Sequence, residues 1–254
     1  MISSEMVGIV GPALAAGLMI ALTHVPLGIE VLKRGIIFID LAVAQIAGLG
    51  LIAAAIFLDE PSFLMTQGIA LTCAILAGLF FCKIETSVPD QQEAIIGVSF
   101  VLAASLAILF LADHQNSGQE IQHLLSGQML FVTWGSVGLH APIFILILGV
   151  WFIRPTVRNG IGFYVVFAFA ITSSVQMVGV YVVFASLILP AFAALNTKRP
   201  YVTAWATGVL SVFCGIIAAI VLDAPSGPVT VVCYTIAAIL VVAVKNIKNA
   251  AKIH

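Results

Sequence analysis

Charge is what this sequence has least of. Only 8% of its 254 residues are Asp, Glu, Lys or Arg, and 62% are hydrophobic. A soluble globular domain carries about 25% charged residues, so this chain could not cover itself with a polar surface. That points to an integral membrane protein. Segments of about ten residues with alternating hydrophobicity do not recur, which argues against a membrane β-barrel. Cysteine is scarce too. Cys73, Cys82, Cys214 and Cys233 lie in apolar runs without C-x-x-C spacing, as small core residues rather than a disulfide frame. The dipeptide Gly-Lys never occurs, so the chain has no P-loop for ATP. H-E-x-x-H and G-x-S-x-G are also absent, and no catalytic constellation stands in their place. Any energy for uphill transport therefore comes from another chain. The net charge of −1 gives no reason to expect a nucleic-acid partner.

What is present is a series of apolar runs, near 6–26, 36–58, 64–82, 94–112, 135–153, 161–197, 201–222 and 227–244. A crossing helix needs about 20 mostly apolar residues, so the spacing predicts an all-α polytopic protein of about eight to nine transmembrane helices in one domain. The segment 1–26 lacks a basic start and its only early charge is Glu5, so it reads as a first crossing rather than a signal peptide. Lys33, Arg34, Lys83, Arg154, Arg158, Lys198, Arg199, Lys245, Lys248 and Lys252 mark every second junction. Asp59, Glu60, Asp113, Glu120 and Asp223 mark the others. Short cytoplasmic loops carry the basic excess, so the N-terminus is expected outside and the C-terminus inside. Arg158 and Lys198 then share a side, and 161–197 must cross twice. Its natural break is "ITSSVQMVGV" (171–180), at Gly179.

The polar residues inside these runs are the candidate transport pathway. Asp40 lies in "GIIFIDLAVAQIAGLGLIAAAIFL" (35–58), about 7 Å into its helix at 1.5 Å per residue. A carboxylate there marks either function or a structural pair, with Lys33 two turns earlier as the available partner. Gln45 lies about 140° round from Asp40, so one helix cannot present both to one ion. Ser173, Ser174 and Gln176 cluster at the expected break, which suits a pathway lined by freed carbonyls or ordinary interhelical hydrogen bonds. His140 reads as a packed histidine or, less readily, a metal ligand. His114, Glu120 and His123 read as a solvated external loop that could brush an arriving metal.

Several stretches together resemble the zinc/manganese/iron ABC-importer permease family, of ABC-3 type. They are "PLGIEVLKRGIIFIDLAVAQIAGLG" (26–50), "EAIIGVSF" (93–100), "HLLSGQML" (123–130), "VGVYVVFASLILPAFAAL" (178–195) and "DAPSGP" (223–228), in the family's order. The resemblance implies a type II ABC importer-like permease in the bacterial cytoplasmic (inner) membrane. It implies a homodimer, a cytoplasmic subunit that binds ATP and Mg, and an extracytoplasmic metal-binding protein, with no cofactor in this chain. The cargo it implies is a divalent transition metal, zinc first, then manganese or iron. Aligned on Phe38 and Gly50, the family's Asp/His pair falls on Leu41 and Gln45, and Asp40 falls on the preceding glycine. Asp40 is then a displaced variant of the metal-attracting carboxylate, at the inner end of the path. The family's acidic-x-x-Ala-x-x-x-Gly docking segment is replaced by "RPTVRNGIG" (154–162). ATPase docking is expected there and at 84–93 or 196–200, through Arg154, Arg158, Lys198 and Arg199. A permease for a metal chelate or organic cofactor is the alternative. A membrane scaffold or membrane-embedded enzyme is a more distant one.

Overall fold

The computed structural model describes residues 4–59, 61–112 and 129–250. The readings made for His114, Glu120 and His123 lie outside them. Nine α-helices occur among the described residues: α1 (Ser4–Arg34), α2 (Ile39–Phe57), α3 (Phe63–Ser87), α4 (Gln92–Leu111), α5 (Trp134–Ile153), α6 (Gly160–Val178), α7 (Val180–Ala193), α8 (Pro200–Leu222) and α9 (Ser226–Ala250). Eight are long and apolar enough to cross a membrane, and α7 is a shorter apolar helix. Its 14 residues span about 21 Å. Outward faces carry large apolar side chains such as Leu64, Val98, Leu109 and Ile145, as lipid contact requires.

The α1 helix runs past Pro26 instead of stopping there. A proline inside a helix removes the N–H that would bond four residues back, which frees the carbonyl of Leu22. The Trp205 indole of α8 donates to that carbonyl at 3.1 Å. The vacancy is filled from a neighbouring helix, so α1 continues through Lys33 and Arg34. The starts of α3 and α5 are capped by Ser62 and Thr133, whose side chains accept from Met65 N–H and Ser136 N–H.

The long 161–197 run does split at Gly179. That residue has φ 78 and ψ 164, a region open essentially to glycine alone. The chain reverses there. Ser174 before the break and Ser186 after it bond the two nitrogens of one imidazole, His24. A continuous helix would separate them by about 18 Å.

With that reversal, the nine helices alternate in direction. The basic junctions gather at one end of the bundle. Arg34 at the end of α1 reaches Glu85 of α3 and the carbonyl of Arg158 before α6. Phe152 at the end of α5 packs on Tyr201 and Trp205 at the start of α8. Lys245 of α9 donates to the carbonyl of Leu195 after α7. At the opposite end, Trp134 of α5 lies against Gly11 of α1, and Leu130 N–H donates to Ser226 of α9 at 3.3 Å.

Candidate functional site

The N-terminus of α2 holds two carboxyl groups, and among the described residues no cation pairs with either. Asp40 sits in the first turn of the helix and is 1% exposed. Neither of its oxygens has a hydrogen-bond partner among the described residues. Lys33, the partner open to it by sequence spacing, is 63% exposed and lies 3.7 Å from Glu30 instead. Arg34 is taken as well, at 2.6 Å from Glu85 and 3.4 Å from Glu30. Glu93 of α4 comes to the same helix end, where its Oε1 accepts from Phe38 N–H at 3.2 Å. Its other oxygen is buried without a partner among the described residues. The positive end of the helix dipole favours both groups, by a fraction of what an ion pair in such a site supplies. A buried carboxylate without a partner is unfavourable. Asp40→Asn is therefore expected to leave the melting temperature in detergent unchanged or raise it, and a clear drop would mean that the carboxylate has a structural partner.

Gln45 lies on another face of α2. With Leu41 one turn earlier it lines a cavity of about 350 Å³, mostly apolar, whose other walls include Phe100 of α4, Val175 of α6, and Tyr181 and Phe184 of α7. Leu41 and Gln45, the positions on which the resemblance places an Asp/His pair, line this cavity together. Here they offer an isobutyl group and an amide. Phe184 also stacks on Phe38 at 6.2 Å.

The polar cluster of α6 divides between two places. Ser174 turns inward to His24, a residue the sequence reading passed over. His24 is 0% exposed. Its Nε2 is 2.8 Å from Ser174 Oγ and its Nδ1 is 2.7 Å from Ser186 Oγ. Each serine also donates to its own helix, to the carbonyls of Ala170 and Val183. Four hydrogen bonds need four protons. A neutral imidazole and two hydroxyls supply three, so in the neutral state one serine divides its proton between two acceptors. The signal was present in "ALTHVPLG" (21–28): an ionisable residue inside a span is a functional candidate by default.

Ser173 and Gln176 turn the other way. With Thr172 of the same helix, His140 of α5 and Gln67 of α3, they line a separate cavity of about 180 Å³. His140 Nδ1 and Thr172 Oγ1 are buried beside it without partners among the described residues. Asp40, Gln45, Ser174 and the Ser173–Gln176 pair thus stand in four different surroundings within one chain. Among the described residues, no three His, Cys, Asp or Glu side chains come close enough to hold a metal ion.

At the basic end, Arg154, Lys198 and Arg199 are exposed. Arg158 is not free in the same way. It folds back to donate through Nε and Nη2 to the carbonyl of Trp151, at 3.1 and 3.0 Å, and so caps the end of α5. Its own carbonyl accepts from Arg34 at 2.7 Å, and the Arg34 guanidinium stacks over Phe163, 4.4 Å from the ring centre.

The sequence profile of the ABC 3 transport family matches residues 6–159 and 155–245. The manganese transport system membrane protein MntC of Halalkalibacterium halodurans is 23% identical over 240 residues, which cover 85% of this chain and 80% of that protein. Among solved structures, a chain of PsaBC from Streptococcus pneumoniae in complex with Fab superposes with a TM-score of 0.70 at 17% identity. The match covers 92% of this chain and 90% of that one. An inward-facing conformation of a metal-chelate type ABC transporter gives a TM-score of 0.64 at 15% identity, covering 96% and 90%.

Proposed function

The chain belongs to the ABC 3 transport family, and from that premise we propose that it is the membrane permease of an ATP-driven importer for a divalent transition-metal ion. It is a transporter subunit and not an enzyme. It works as a homodimer by alternating access, with a separate cytoplasmic ATPase that binds ATP and Mg and an extracytoplasmic metal-binding protein. The observation that carries this reading is the gathering of every described basic junction at one end of nine alternating helices. By the basic excess of cytoplasmic loops, that end faces the cytoplasm of a bacterial inner membrane. The N-terminus is then outside.

For the cargo, the order zinc, manganese, iron suggested by resemblance shifts toward manganese. One curated relative is named for manganese transport. Asp40 and Glu93 offer oxygen donors, which suit manganese better than zinc. The 350 Å³ cavity beside Gln45 supports a second reading, because it is larger than a bare ion needs and mostly apolar, as an organic chelate would require. Uptake that requires an added chelator would select that reading, and uptake of the free ion would reject it.

Of the four basic residues expected to dock the ATPase, Arg154, Lys198 and Arg199 are exposed, whereas Arg158 shapes the loop that carries Arg154. Reversing the three exposed charges to Glu is expected to abolish co-purification of the ATPase subunit without altering the melting temperature of the permease. Undiminished co-purification would remove this docking surface.

A further inference from the structure

The contacts of Arg34 with Glu85 and with the Arg158 carbonyl are one end of a longer chain of polar groups. The Glu85 carboxylate lies beside the hydroxyl of Tyr164, in the second turn of α6, and that side chain is fully buried. The same hydroxyl accepts from Gln92 Nε2 at 2.8 Å. Gln92 is the first residue of α4 and is buried as well. Its Nε2 also reaches the Phe81 carbonyl of α3, at 3.4 Å, so turning the amide over would set oxygen against oxygen. The donors then run one way. Gln92 donates to Tyr164, which leaves the Tyr164 proton for Glu85. Arg34 donates to Glu85 at 2.6 Å and to the Arg158 carbonyl at 2.7 Å. At the other end, Glu93 follows Gln92 in the chain. It accepts from Phe38 N–H at 3.2 Å and stands close enough to Asp40 for like charges to repel. There is little slack between the helices: a Cβ added at Gly78 of α3 would lie 3.1 Å from the Tyr164 carbonyl oxygen.

We propose that Tyr164 and Gln92 are positioning residues of the transport cycle. They pass a displacement of the loop 154–159 from Arg34 and Glu85 to the first turn of α4, and so to Glu93 and Asp40 at the N-terminus of α2. This rests on the reading of the chain as a permease with its ATPase at the basic end. Coupling between separate places is carried by contiguous contacts and rigid elements, and these contacts join α1, α3, α6 and α4 in turn. Tyr164 is the joint. Its hydroxyl accepts on one side and has its proton to give on the other, so losing that one oxygen breaks both links. A phenylalanine in its place keeps the ring and its packing. A purely structural role would show in the melting temperature and leave the metal moved per ATP unchanged. A positioning role shows in that ratio.

The test uses the full complex in proteoliposomes, with manganese uptake and ATP hydrolysis measured together. An environment-sensitive fluorophore is placed through Ile37→Cys, two residues before α2, in a chain whose four native cysteines are replaced by alanine. The otherwise wild-type chain is expected to change its fluorescence when the ATPase binds ATP. Tyr164→Phe is expected to assemble with the ATPase, to lose most of that change, and to move about fivefold to tenfold less manganese per ATP. Gln92→Leu is expected to act in the same way, and it carries the test alone should Tyr164→Phe not assemble. The double variant is expected to be no worse than either single one, because both cut one chain. An undiminished fluorescence change or an unchanged ratio in the assembled variants overturns the proposal. So do effects that multiply in the double variant, and so does a wild-type probe that ignores ATP. A wild-type probe that responds while no metal moves, with the response lost in Tyr164→Phe, upholds the relay and overturns the permease reading.

Discussion

Gly28→Ala is expected to cost this protein its fold more than any other single methyl group would. An added Cβ would lie 1.9 Å from the carbonyl oxygen of Leu187, and 2.9 Å from its carbon. The obstacle is backbone, so no side chain can swing away. α1 and α7 would have to separate by about 1 Å or more, and overpacking of this kind costs about 1–3 kcal/mol. The loss does not stop there. His24 is one turn before Gly28, and Ser186 is next to Leu187, so the same separation opens the 2.7 Å contact between His24 and Ser186. That leaves a buried donor or acceptor bare, at a further cost of about 1–3 kcal/mol. The midpoint of thermal unfolding in detergent should fall by roughly 10 °C, with loss of the monodisperse peak on size exclusion. A wild-type midpoint would mean that α1 and α7 are not in backbone contact.

Arg34→Gln is expected to give the second largest effect. This guanidinium joins four elements: Glu30 on its own helix, Glu85 of α3, the Arg158 carbonyl before α6, and the Phe163 ring of α6. Its side chain is 12% exposed, so its removal leaves Glu85 and a backbone carbonyl without the charge that held them. Breaking a buried pair from one side costs about 3–5 kcal/mol; Glu85 keeps some contact with water, so the expected loss is about 2–3 kcal/mol. The loop 154–159 should also lose its attachment to α1 and, on the proposed docking of the ATPase at this end, pass on less of the ATPase's movement. ATP-driven uptake should fall about tenfold or more, the equivalent of 1.4 kcal/mol or more of coupling. Arg34→Lys should restore part of the stability and little of the uptake, because a point charge cannot reproduce a planar fork that serves two acceptors and stacks on a ring. Full recovery by lysine would reduce the clamp to a charge effect.

These two positions mark where the sequence was readable and where it was not. Helix number followed from hydropathy, because the bilayer demands about 20 apolar residues wherever the chain crosses. The split at Gly179 was legible because polar residues and a glycine interrupt a run too long for one helix. The sharing of one bundle end by Arg34, Arg158 and Lys245 was legible in the alternation of basic and acidic junctions. Faces were not. Ser173 and Ser174 are neighbours in the chain and about 100° apart on the helix, and only the position of α1 sends one to His24 and the other to the cavity of His140. The length of α1 was hidden too, since Pro26 reads as a stop until Trp205 of another helix supplies the bond that Pro26 cannot. Asp40 looked as though Lys33 could neutralise it, two turns away. Glu30, one turn from Lys33, is nearer and takes that charge.

Whether the chain is an ATP-driven permease for a transition-metal ion is decided in proteoliposomes that hold the purified chain together with its ATPase. Radioactive manganese is presented outside with the extracytoplasmic binding protein, and ATP is enclosed on the side that the basic junctions face. The expected result is accumulation against the gradient that needs ATP and Mg, that unlabelled manganese competes away, and that drops severalfold with Asp40→Asn. Manganese, zinc and iron all failing to accumulate, with ATP hydrolysed and the complex intact, would contradict it.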